Sequence, residues 1–123
     1  ASPRKIQPVA KGGPSEVLPE PALPGIERTF NIIITGVGGT GVVTIGAILG
    51  MAAHLEGRGC GMIDMAGLAQ KGGSVYSHVK VGRSPEAINA IRVSAGQASL
   101  ILGGDLVVSG TRKVLAAVKQ GKT

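Results

Sequence analysis

The residues of this chain whose spacing could do chemistry are glycines. Gly36-Val37-Gly38-Gly39-Thr40-Gly41 fits G-x-G-x-x-G. That pattern lets backbone N–H groups close around the phosphate of a ligand. Its neighbours supply the required context. Residues 30–35 form a short run rich in β-branched side chains and predict a buried strand. Residues 40–56 predict a helix. Gly36 would then permit the tight turn, Gly38 would remove a Cβ from the path of a phosphate, and Gly41 would let helix and strand pack closely. The helix N-terminus would add free N–H groups and the positive end of its dipole. No Lys-Ser/Thr follows the last glycine, so the loop is not that of a P-loop nucleotidase.

Three other positions draw attention. Asp64 closes a predicted strand over residues 60–64, where an acid would bond the ribose hydroxyls of a dinucleotide. Lys71-Gly72-Gly73 can place a charge and two unobstructed N–H groups beside an anion. His78 lies on an alternating strand, residues 74–81. There Val75, Ser77, Val79 and Val81 share one side, while Tyr76, His78 and Lys80 share a wetter one. From the residues alone, three readings stay open. The chain binds NAD or FAD, it binds another phosphate-bearing ligand, or its glycines only pack a helix onto a sheet. The ordinary reading of Lys71 is a solvated turn lysine, and of His78 an exposed strand histidine.

The elements that must position these residues follow in order. Strand, turn, helix and strand over residues 30–64 predict a right-handed βαβ crossover. The helix is apolar around most of its circumference and is expected to be buried. Gly46 and Gly50 would let it sit close to a strand, and Gly57 and Gly59 would stop it. After a loop at residues 65–73 and the alternating strand come a turn at 82–85 and a possible short strand at 87–93. A strand at 100–102 follows, then a helical stretch at 105–119 interrupted near Ser109-Gly110. The expected fold is α/β, a Rossmann-like three-layer domain with a mostly parallel sheet, cut short at its C-terminus. Six of the seven prolines fall in residues 1–29, which predicts an extended connector ahead of a domain at 30–123.

Composition narrows the classes. The 123 residues suit one domain, and with one Tyr, one Phe and no Trp the core must be aliphatic. The formal net charge is +6, but the basic residues are scattered and no aromatic platform exists for stacking bases, so no nucleic-acid partner is expected. Cys60 is the only cysteine. Disulfide frameworks and multi-cysteine metal sites within the chain are excluded, and a cytoplasmic setting is expected. The longest apolar stretch is too short to span a bilayer, so no membrane partner is expected.

Taken together, two motifs resemble a known family. Gly36-Val-Gly-Gly-Thr-Gly-Val-Val-Thr44, an acidic end to the second strand, Gly67-Leu-Ala-Gln-Lys-Gly-Gly73 and Ser77-His78-Val79 look like the γ domain of 2-oxoacid:ferredoxin oxidoreductases. The second motif and Leu102-Gly-Gly-Asp-Leu-Val-Val108 are most similar to the indolepyruvate subgroup. The resemblance covers about residues 30–120. It implies an enzyme that oxidatively decarboxylates a 2-oxoacid to an acyl-CoA and passes electrons to ferredoxin. Thiamine diphosphate and [4Fe–4S] clusters would sit on other domains or subunits. This domain would be inactive alone, with no catalytic residue and no tightly bound cofactor. It would support the coenzyme A site and the subunit interface. The resemblance carries a role beside coenzyme A onto Gly36, Gly38, Gly39, Thr40 and Gly41, and further onto Lys71, Gly72, Gly73 and His78. Some members of the family have Gln at the position of Thr40, whose hydroxyl could instead cap the helix.

Overall fold

The structure is a computed structural model and describes residues 19–23, 25–67 and 72–123. Most of the expected connector lies outside the described residues, as does Lys71. The elements are β1 (Thr29–Val37), α1 (Val42–Leu55), β2 (Gly59–Ala66), β3 (Ser74–Gly82), β4 (Leu100–Gly103), α2 (Leu106–Ser109) and α3 (Arg112–Leu115). A single 3-10 turn, Pro85–Ala87, precedes an irregular segment. The strand expected over residues 87–93 is not formed. The helical stretch after residue 105 does break, at Gly110 and Thr111.

The four strands stand in the order β2-β3-β1-β4. β3 runs antiparallel to both neighbours, and only β1 and β4 pair in parallel. The α/β class holds, but the sheet is mostly antiparallel rather than mostly parallel. The cause lies in chain length. Parallel neighbours need a crossover of a dozen or more residues, whereas residues 67–73 alone join β2 to β3. β1 and β2 are still parallel to each other, with β3 inserted between them and α1 crossing above.

Alternation along the strands builds a core on each face of the sheet. Ile32, Ile34, Val75 and Val79 pack with Val42 under α1. On the reverse face, Ile33 meets Val93, Ala98 and Ala117, and Tyr76 meets Val108 and Val114. The layers are therefore α1, the sheet, and residues 85–99 with the two short helices. The side of β3 expected to be wet is in fact covered, with His78 5% exposed and Tyr76 8%. Their cover comes from residues far along the chain, which local alternation does not register.

α1 ends in a Schellman motif. Gly57 at φ 69° takes the left-handed position, with Gly57 N–H donating to His54 and Arg58 N–H to Ala53. The helix was expected to be buried all round. It buries only Val42, Gly46 and Ala53 and leaves its other faces open.

Candidate functional site

The connections that leave β1 and β4 go to opposite faces of the sheet. α1, after β1, covers the face of Ile32 and Ile34. α2, after β4, covers the face of Tyr76 and Ile101. A crevice therefore opens past the carboxyl ends of these two parallel strands, the place where open α/β sheets bind ligands. The glycine turn lies on one side of it and Gly103-Gly104 on the other. A cleft of about 290 Å³ runs between Thr40, Ile45, Leu102 and Gly104. A second, of about 300 Å³, lies over Gly38, Gly39, Gly41 and Thr44.

Each glycine of the turn has a distinct physical role. A Cβ on Gly36 would stand 2.4 Å from the Val42 side chain, so it is Gly36 that lets α1 close onto β1. Gly41 is the N-cap, at φ 89°, and Gly39 has φ 86°; both are left-handed positions with open space around them. The packing role expected of Gly41 thus belongs to Gly36. Gly38 has no positive φ, and a Cβ there would find its nearest protein atom 3.6 Å away. Nothing in the described fold demands a glycine at that position.

Thr40 does not cap α1. Its hydroxyl donates to the Val37 carbonyl over 2.6 Å, which ties the turn back on itself, and α1 has no side-chain cap. The first-turn amides of Val42, Val43 and Thr44 have no intrahelical acceptor and point past the glycine turn. The acceptors that would normally quench them are missing from the sequence.

The second motif docks on the first. Gly38 N–H donates to the Gly73 carbonyl at 2.9 Å, and Gly67 N–H to the Ser74 carbonyl at 2.8 Å. Gly72, at φ 71°, is exposed beside this junction. The structure thus brings Gly72 and Gly73 to the glycine turn. It does not bring His78 there. His78 pairs with Ile33, three residues back from Gly36, and sits on the face away from α1. Its Nδ1 accepts the backbone N–H of Val93 at 3.0 Å. Burial holds its pKa below the ordinary value, helped by the positive charges of Arg92, Lys113 and Lys80. The imidazole is neutral, with its remaining proton on Nε2.

Asp64 is exposed within β2 rather than at its end, and β3 separates its strand from β1. In a dinucleotide fold the acidic strand adjoins the glycine strand. Here it stands two strands away, so Asp64 does not face the turn.

Sequence reading missed the other wall of the crevice. Gly104 N–H donates to the Thr35 carbonyl at 2.8 Å, and Thr35 Oγ1 and Ser109 Oγ are 2.7 Å apart. Asp105 caps α2 by accepting from Val108 N–H at 2.8 Å. A Gly-Gly-Asp at a strand end was the available signal. Tyr76 was missed as well. Lys113 Nζ lies 4.6 Å from its ring centroid. The neighbouring hydroxyls of Ser74 and Thr111, with Lys113, hold the phenol below its usual pKa. Burial pushes the Cys60 thiol up, away from the nucleophilic form. Among the described residues no three His, Cys, Asp or Glu side chains gather as a metal site, and no helix is long and apolar enough to cross a membrane.

Residues 31–123 match the family model described as pyruvate ferredoxin/flavodoxin oxidoreductase. Curated relatives carry the name indolepyruvate oxidoreductase subunit IorB. The protein from Thermococcus kodakarensis is 37% identical over 75 residues, which are 61% of this chain and 36% of the relative. The one from Archaeoglobus fulgidus is 33% identical over 101 residues, 70% of this chain and 48% of the relative. The matched region thus spans less than half the length of these relatives.

Proposed function

Since the chain belongs to the pyruvate ferredoxin/flavodoxin oxidoreductase family, we propose that it is the γ-type part of an indolepyruvate or related 2-oxoacid:ferredoxin oxidoreductase, and that its glycine turn holds the phosphate-bearing end of coenzyme A. The proposed enzyme decarboxylates a 2-oxoacid oxidatively to an acyl-CoA and reduces ferredoxin. Thiamine diphosphate and [4Fe–4S] clusters supply that chemistry from other domains or subunits. A chain with one cysteine cannot provide the four thiolates of such a cluster.

The observation that carries the reading is Gly38. Its position needs no glycine for backbone angle or protein packing, yet it lies at the mouth of the crevice beside unpaired helix amides. A phosphate would use that vacant Cβ volume, with Gly39, Gly41 and the N-terminus of α1 as donors. Gly36 and Thr40 shape the turn. Gly72 and Gly73 brace it, and Lys71 belongs to the same motif. His78 contributes to the reverse-face core and not to the anion set. The chain's own residues bind and orient; no proton or electron passes through them.

The test is the apparent affinity of the assembled enzyme for coenzyme A. Gly38→Val should raise the KM for coenzyme A at least tenfold and leave that for the 2-oxoacid within about twofold. An unchanged KM for coenzyme A removes the turn from the site. Calorimetry with NAD tests the dinucleotide reading. Micromolar binding lost in Asp64→Ala would replace coenzyme A by NAD, but the two-strand separation of Asp64 from the turn argues against it.

A further inference from the structure

α1 carries more apolar surface than the sheet beneath it can cover. Residues 42–55 contain no Asp, Glu, Lys or Arg. Val42, Gly46 and Ala53 face the sheet. On the opposite side Thr44, Ile48, Met51 and Leu55 follow one another at spacings of four, three and four, the period of a helix-packing seam. This seam lies open, with Ile48 63% exposed, Met51 59% and Leu55 79%. A surface helix of a globular protein is polar on its outer side. One that is apolar all round is made for the interior of a larger body.

We infer that the Thr44–Ile48–Met51–Leu55 seam of α1 is a docking surface for an apolar helix of another, net-acidic subunit of the oxidoreductase. The inference rests on the functional reading above, in which this chain works inside a multi-subunit enzyme. Charge favours a foreign helix over a second copy. The chain carries +6, so two copies brought seam to seam repel each other, whereas an acidic partner is attracted. The seam itself is uncharged, so contact desolvates no ion there. α1 has 14 residues, about 21 Å of axis, which gives three turns of knobs for one facing helix.

The test is site-specific photo-cross-linking in the assembled enzyme, with p-benzoylphenylalanine in place of Met51. The expected product joins this chain to a different subunit, and the attachment maps to an apolar helical seam. A cross-link to a second copy, to residues 1–18 of the same chain, or to nothing overturns the inference. Met51→Lys should cut recovery of the assembled complex at least tenfold, while His54→Lys, one quarter-turn off the seam, leaves it within twofold. Equal recovery of both variants overturns it as well. The two readings fail separately. An enzyme that assembles and turns over with position 51 unlinked sinks the seam alone. A chain that co-purifies with no thiamine- or cluster-bearing subunit sinks the functional reading first, and the seam with it.

Discussion

The backbone amide of Gly38 donates to the carbonyl of Gly73 over 2.9 Å. One hydrogen bond thus ties the first glycine motif to the second, although 35 residues separate them in sequence. Gly38 spends its N–H on the protein, so what it can offer a ligand is space. An Ala there meets only ordinary contacts, at 3.6 Å and 3.9 Å. Gly38→Ala should therefore change stability by less than about 1 kcal/mol while weakening coenzyme A binding several-fold. Thermal unfolding and KM measured on the same variant check the two halves. A large loss of stability would reassign Gly38 to the fold.

Gly36 should behave in the opposite way. The added methyl of Gly36→Ala overlaps Val42 at 2.4 Å, and overpacking of this kind costs about 1–3 kcal/mol. Val42→Ala in the same chain should recover part of the loss, because it vacates that contact. Denaturant unfolding of the two single variants and the double gives the coupling. Additive effects would place the clash elsewhere.

The neutrality of His78 makes stability depend on pH. Its folded pKa lies below the unfolded value near 6.5, held there chiefly by burial. Its contribution is complete above that value and is lost as pH falls toward the folded pKa. Unfolding free energy should fall between pH 7 and pH 5 more steeply in the native chain than in His78→Leu. That variant should also lose about 1–3 kcal/mol at pH 7, since Val93 N–H is left buried without an acceptor. Equal slopes in the two proteins would refute the assignment.

Ser77 is a cost that the fold carries. Its hydroxyl is fully buried and has no hydrogen-bond partner among the described residues. Ser77→Ala should stabilise the protein by about 1 kcal/mol. It should also soften Gly46→Ala, whose Cβ would otherwise stand 2.7 Å from Ser77 Oγ. A destabilised Ser77→Ala would mean that the hydroxyl has a partner after all.

Local pattern was enough for each strand and for α1, because alternation and the Gly57 stop are written in neighbouring residues. It was also enough for the glycine turn, which is a strand-to-helix junction. Sheet order was not found. The strand-turn-helix-strand pattern fits adjacent strands and strands separated by an inserted one equally well, and only the shortness of 67–73 tells them apart. The burial of Tyr76 and His78 could not be read locally, since Val93, Val108 and Val114 approach from later in the chain. At the crevice, Gly36 and Gly41 exchange their expected roles because φ and close approach are properties of the folded path. The Gly103-Gly104 wall needed the parallel pairing of β1 with β4 before it could be recognised.

The inserted β3 bears on the order of assembly. β2 and β3 meet through Ala66 and Val75, nine residues apart, whereas β1 meets β3 through Val37 and Ser74, 37 residues apart. Loop-closure entropy makes the first pairing the cheaper one. Since β1 touches β2 only through β3, the growing sheet has no nucleus in β1–α1–β2. It must wait for the hairpin, and the Gly67–Gly73 link between its arms then governs how fast the molecule folds as well as how the glycine turn is braced.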